Sequence, residues 1–255
     1  MSSLAILAPL VTSYDPIAQN IRNRNQPPTS EHILGTDQFG RDLFTRIIYG
    51  GRVSLAVGLV AVGIGLGVGG LMGLASAFYG GVLENVMMRI SDALLAMPGL
   101  LLALAIVAAL GPGMTNVMIA VGIAYIPNFA RITRSAAITV RELDYVTAAR
   151  AAGARDLRIM FRHVLPNSLG PIIVQTTLSL AGAILAAAGL SFLGLGAQPP
   201  TPEWGSMINS ARPFIRVAHW TVTFPGLAIL VTVLALNLVG DGLRDALDPR
   251  HSANG

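Results

Sequence analysis

The chain has 255 residues, 53% of them hydrophobic and only 12% charged. Its mean hydropathy is +0.64. Soluble domains carry about 25% charged residues, so a water-soluble fold of this size would lack the polar surface to cover itself, and lipid must serve as part of the solvent. The basic residues are all arginine, the formal net charge is +4, and cysteine is absent, which excludes disulfides and thiol chemistry.

Residues 1–11 contain an apolar run too short to cross a bilayer, followed by Thr12, Ser13, Tyr14, Asp15 and Pro16. The run reads as a partial first transmembrane helix; a signal peptide would need a basic region ahead of it. Residues 12–53 form a polar, arginine-bearing segment. Five stretches then follow without an acidic or basic side chain, at 54–78, 93–110, 113–130, 169–195 and 221–239. Each approaches the roughly 20 apolar residues that a helix needs to span the hydrocarbon core. Gly111, Pro112 and Gly113 join the second and third as a tight helical hairpin. In the first stretch Gly65, Gly69 and Gly73 recur every fourth residue, with Gly63 and Gly67 as a second pair, a spacing that lets another helix approach closely. The expected fold is all-α and polytopic, with five complete spans plus a partial first span and a transmembrane core over residues 54–239.

Crossing parity puts 79–92, 131–168 and the tail 240–255 on one side of the membrane, opposite 12–53 and 197–220. Ten arginines lie on the first side and seven on the second, which makes the first side cytoplasmic under the positive-inside rule. Arginines interleaved with apolar segments meet lipid headgroups rather than nucleic acid.

Without lysine the chain cannot form the G-x-x-x-x-G-K-[ST] phosphate loop, and it has neither a G-x-S-x-G elbow nor an H-E-x-x-H pair. His32, His163, His219 and His251 are far apart in sequence. The expectation is a non-catalytic chain that binds no metal or cofactor of its own. Asn116, Gln175, Thr176 and Ser179 are polar groups at membrane depth: candidates to line a pathway, or to bond neighbouring backbone and helices.

The segment 131–168 is charged yet patterned. Leu157, Met160, Phe161 and Val164 fall on one face of an α-helix, with Arg155, Arg158 and Arg162 on another. Tyr145, Ala149 and Ala152 make a smaller stripe before it. Gly153 is expected to separate the two short helices and Pro166 to stop the second. Such a helix–turn–helix fits a groove on a partner, or rests on anionic lipid.

Thr147, Ala148 and Ala149, then Gly153 and Leu165-Pro166, resemble the E-A-A-x-x-x-G loop of membrane subunits in binding-protein-dependent ABC importers. GTDQFGRD at 35–42, LSFLGLGAQPPTPEW at 190–204 and NLVGDGLRDALDPR at 237–250 resemble the C-type permease subunits of dipeptide, oligopeptide and nickel importers. The resemblance implies a type I ABC importer transmembrane fold in a prokaryotic inner membrane. It also implies a homologous permease subunit as partner, an extracytoplasmic substrate-binding protein, and two cytoplasmic ATPase subunits that carry the ATP and magnesium. Tyr145, Thr147, Ala148, Ala149, Gly153, Leu157, Met160, Phe161, Leu165 and Pro166 would then couple to the ATPase, although Thr147 stands where the family has glutamate.

Overall fold

The computed structural model describes residues 11–247, so the expected partial span at 1–11 and the end of the tail fall almost wholly outside the described residues. The described residues are helices and loops, with one isolated β-bridge between Thr36 and Asp42.

Helix α1 runs continuously over Leu43–Tyr79 and includes a five-residue π turn at Gly65–Gly69. It begins well before residue 54 because Asp42 caps it: Asp42 Oδ2 accepts from Thr45 N at 2.8 Å and from Thr45 Oγ1 at 2.7 Å. The stretch expected as one span at 93–110 is broken instead. Helices α2, Gly81–Leu95, and α3, Gly99–Leu110, meet at 88°. Pro98 sits at the corner, where its missing N–H and its ring force the preceding residue out of helical geometry. The twelve residues of α3 rise roughly 18 Å, well short of a hydrocarbon core of about 30 Å. Helix α4, Met114–Arg141, follows the hairpin turn.

Helix α5 is Asp144–Ala151 and α6 is Asp156–Ile159, continued by a π turn at Met160–Val164 and a short turn at Leu165–Asn167. Pro166 does not terminate this run. It is the second residue of Leu165–Asn167, directly after the π turn, and the chain passes at Ser168 into α7, Leu169–Phe192. Helices α8, Trp204–Ala211, and α9, Trp220–Leu247, complete the described chain.

Among the described residues α1, α7 and α9 are long and apolar enough to cross a membrane, and a fourth crossing is gained if α2 and α3 count as one bent span. Helix α4 has the length, but Asn116, Asn128 and Arg131 make it less apolar, so the expected five spans are not reached on length and apolarity alone.

The chain divides into two compact units. Unit one comprises Met1–Val60, Leu104–Ala120 and Ala181–Ala235; unit two comprises Ala61–Ala103, Val121–Leu180 and Leu236–Gly255. The core of unit one gathers Leu43, Ile47, Trp204, Met207, Ala218, Trp220 and Ala228. Both indoles are satisfied as buried donors should be: Trp204 Nε1 donates to the Ile47 carbonyl at 2.9 Å and Trp220 Nε1 to the Thr36 carbonyl at 3.2 Å.

In unit two the glycine stripe of α1 meets α4. A methyl group at Gly65 would lie 2.8 Å from Tyr125 Cβ, one at Gly73 would lie 2.9 Å from Arg134 N, and one at Gly69 would overlap the Ile126 carbonyl. Gly63 and Gly67 face open space, so only one of the two glycine pairings serves helix contact within the chain. Ion pairs fasten α2 to the same helix: Arg131 Nη2 lies 2.6 Å from Asp92 Oδ1, and Arg134 Nε donates to Glu84 Oε1 at 2.8 Å.

Candidate functional site

The helix–turn–helix of unit two stands on a buried cluster of Leu74, Ala77, Phe78, Ala137, Val140, Val146, Ile159, Met160 and Val164. Arg141 reinforces the base by donating Nη1 to the Ala77 carbonyl at 2.5 Å, and the Arg150 guanidinium lies 5.6 Å from the centre of the Phe78 ring. Gly153, at φ +82°, makes the left-handed turn between α5 and α6 that a glycine adopts without Cβ strain.

The stripe drawn from α-helical spacing divides at the π turn. Each π turn inserts a residue into the helical repeat and so rotates the downstream residues about the helix axis. Met160 and Val164 point into the core with Ile159, at 6%, 1% and 0% exposure, whereas Leu157 and Phe161 remain 61% and 47% exposed. Tyr145 is also exposed, and its hydroxyl donates to the His163 carbonyl at 3.3 Å, linking the two helices. Thr147, Ala148, Gly153 and Pro166 lie at the surface, and Ala149 and Leu165 are half-buried. The outer surface therefore presents Tyr145, Leu157 and Phe161 on a rigid base, while Met160 serves that base.

Of the four candidates for pathway lining, Asn116 belongs to unit one, and Gln175, Thr176 and Ser179 lie on α7 in unit two. Asn116 Nδ2 donates to the Leu110 and Gly111 carbonyls at 3.1 and 3.0 Å, closing the carbonyl end of α3 at the hairpin. Gln175 Nε2 donates to Ser179 Oγ at 3.1 Å, and Thr176 Oγ1 to the Ile172 carbonyl at 2.7 Å, all within α7. Thr176 also lines a largely apolar cleft of about 480 Å³ in unit two, with Leu66, Gly67, Leu71, Leu169 and Ile173.

In unit one the GTDQFGRD stretch folds into a buried polar nest. Asp37 Oδ1 accepts from Phe39 N at 2.8 Å and Arg41 N at 3.0 Å; its Oδ2 accepts from Arg41 Nε at 2.6 Å and lies 3.6 Å from Arg46 Nε. Asp42 Oδ1 pairs with His32 Nδ1 at 2.9 Å. Gly40, at φ +72°, passes so close to the Asn20 carbonyl that no side chain fits.

The PEW end of the second stretch is explained by Glu203, which caps α8 with its carboxylate. Gly205 N donates to Oε1 at 2.9 Å and Ser206 N to Oε2 at 2.8 Å, and Ser54 Oγ stands 3.3 Å from Oε1. Burial pushes the Glu203 carboxyl above the usual carboxylate range, while the Gly205 and Ser206 N–H groups and the nearby Ser191 and Ser54 hydroxyls pull it back. Ser191 Oγ is close without reaching hydrogen-bond geometry, and has no partner of its own. Sequence spacing gave no role to Asp37, Arg41, Arg46, Ser191 or Glu203; the signal available was two unusually polar, glycine- and proline-rich stretches beside apolar spans.

The chain matches the family described as Binding-protein-dependent transport system inner membrane component over residues 65–252. It is 53% identical over 247 residues to a dipeptide transport system permease protein, DppC, of Alkalihalophilus pseudofirmus, covering 97% of this chain and 81% of that protein. It is 53% identical to a di/tripeptide transport system permease protein of Pseudomonas aeruginosa, covering 96% and 83%. It is 50% identical to a glutathione transport system permease protein of Pectobacterium atrosepticum, covering 89% and 75%. Its fold is similar to a chain of the MetNI methionine ABC transporter in an inward-facing conformation, with a TM-score of 0.64 at 17% identity over 80% of this chain and 96% of that one. A helical chain with several bilayer-length apolar helices, matched over most of its length, belongs to the family of inner membrane components of binding-protein-dependent transport systems.

Proposed function

We infer that this chain is the permease subunit of an ATP-driven importer for short peptides, forming half of the pathway beside a homologous permease subunit. Relatives named for dipeptide, di/tripeptide and glutathione transport support the solute class. The helix–turn–helix at 144–167 couples the spans to a cytoplasmic ATPase, which alone binds and hydrolyses ATP with magnesium. Residues 12–53 and the loop from 197 to 220 face an extracytoplasmic binding protein. The spans α1, the bent pair α2–α3, α4, α7 and α9 make up the membrane part, with 131–168 and the residues after α9 in the cytoplasm.

One observation carries the coupling role: Leu157 and Phe161 stay exposed although Ile159, Met160 and Val164 beside them are sealed in a core. An apolar pair held rigidly on an anchored base is what a partner's groove selects. Closure of the ATPase pair would then move the spans as bodies between two arrangements. The test is co-purification with the ATPase chains. Leu157→Asp is expected to release them without unfolding the permease; an ATPase retained by that variant would refute the assignment. An ATP-independent carrier or channel is the alternative, and it leaves the anchored apolar pair without a task.

A further inference from the structure

A polar pocket of about 120 Å³ lies in unit one, with none of residues 144–167 in its lining. Its lining includes Asp37, Arg41, Arg46 and Ser191, each buried to at least nine-tenths, and its rim includes Gln198, Thr201 and Ser210, which are exposed. At roughly 30 Å³ of liquid volume per water the space suits a few waters or one carboxylate head group.

The charges in the lining do not balance. Two guanidiniums face one carboxylate, and Asp37 is already committed to Phe39 N, Arg41 N, Arg41 Nε and the neighbouring Arg46 Nε. Arg46 spends Nη1 on the carbonyls of Pro16 at 2.6 Å and Pro200 at 3.4 Å. Arg41 uses only Nε; among the described residues no acceptor meets its two terminal nitrogens, and its guanidinium carbon lies 4.7 Å from the centre of the Phe39 ring. Ser191 Oγ, in the same lining, is a buried hydroxyl without a hydrogen-bond partner. Glu203 does not line the pocket, and Asp42 is engaged with His32 and Thr45.

A guanidinium stays charged at any working pH, and a buried hydroxyl without a partner, as at Ser191, is costly to leave unmet. We propose that this pocket is a binding site for a carboxylate, held by the terminal nitrogens of Arg41 and by Ser191 Oγ, with Arg46 supplying the balancing charge. A planar carboxylate matches the guanidinium fork, which a halide or a neutral amide does not. The carboxylate has two possible sources, the free C-terminus of a short peptide or an acidic side chain on a protein docked at this face. The site does not depend on the coupling role of residues 144–167, so the two readings fail separately.

The test is thermal unfolding of the full chain in detergent, followed by indole fluorescence, with acetate against acetamide. Acetate is expected to raise the unfolding midpoint in a saturable way and acetamide to leave it unchanged. Ser210→Glu places a tethered carboxylate at the rim and is expected to weaken the acetate response at least tenfold, while Ser210→Gln keeps it. Arg41→Gln is expected to abolish the response where it folds; the Ser210 pair decides the matter where it does not. Ala-Ala against its C-terminal amide reads the free-peptide source, and acetyl-Ala-Glu-Ala-amide against its glutamine counterpart reads the side-chain source. Absence of any carboxylate response, equal responses to acetate and acetamide, or identical behaviour of Ser210→Glu and Ser210→Gln would overturn the proposal.

Discussion

Replacing Leu157 and Phe161 together by alanine tests the proposed docking surface at the level of free energy. Full burial of such a side chain is worth about 1.5–3 kcal/mol. Leu157 still has 61% of its surface to lose on docking and Phe161 has 47%, so their remaining contributions are about 1–2 and about 1 kcal/mol respectively. The double variant should therefore weaken ATPase binding by about 2–3 kcal/mol, or roughly 30- to 150-fold. Permease stability should change little, because neither side chain belongs to the buried cluster. Ile159→Ala is the mirror experiment: with 0% exposure it offers a partner nothing, yet its loss from the core should cost about 2–5 kcal/mol of folding stability. Titrating fluorescently labelled ATPase against the detergent-solubilised permease measures the first effect, and thermal unfolding measures the second. Unchanged affinity in the double variant would refute the docking argument, whatever Ile159→Ala does.

Gly73→Ala and Gly63→Ala should have opposite signs. The first drives a methyl against the α4 backbone and is expected to destabilise by about 1–3 kcal/mol, whereas the second meets nothing within 4 Å and gains roughly 0.5–1 kcal/mol of helix propensity. Unfolding midpoints of the two variants decide it; equal shifts would contradict the close approach of α1 and α4. Glu203 sets a pH dependence. Its raised pKa means that the native state holds a proton the unfolded chain has released, so its contribution is fully present below the usual carboxylate range and is lost as pH rises through the raised value. Stability measured across that window should fall with pH in the parent chain, and Glu203→Gln should remove that part of the slope. An unchanged slope would mean that the Glu203 carboxyl titrates in the ordinary range.

How far the structure was readable depended on the distance between partners. Apolar runs at 169–195 and 221–239 carried their own evidence, because a helix that faces lipid satisfies its backbone internally and needs no partner to announce it. The glycine spacing of α1 was equally plain, though only its contacts with Tyr125, Ile126 and Arg134 separate the stripe that meets a helix from the pair that does not. Hydrophobic periodicity failed at Met160–Val164, since it assumes the α repeat and a π turn alters it, so that Met160 and Val164 left the face they seemed to share with Leu157 and Phe161. The corner at Pro98 was likewise hidden inside an unbroken apolar run. In unit one, Arg46 meets Pro200, Ser54 meets Glu203 and Trp220 meets Thr36, contacts between residues more than a hundred positions apart. Nothing local in GTDQFGRD or QPPTPEW states that one supplies charge to a pocket partly walled by the other.

The most direct test of ATP-driven coupling is peptide uptake by sealed vesicles that contain this permease with its partner subunits and the binding protein. Uptake is expected only when the ATPases and ATP are present, and Leu157→Asp should abolish it while leaving the permease in the membrane. Full-rate uptake driven by a solute or proton gradient in vesicles without the ATPases would contradict the central claim that the surface at Leu157 and Phe161 is gripped by an ATP-driven partner.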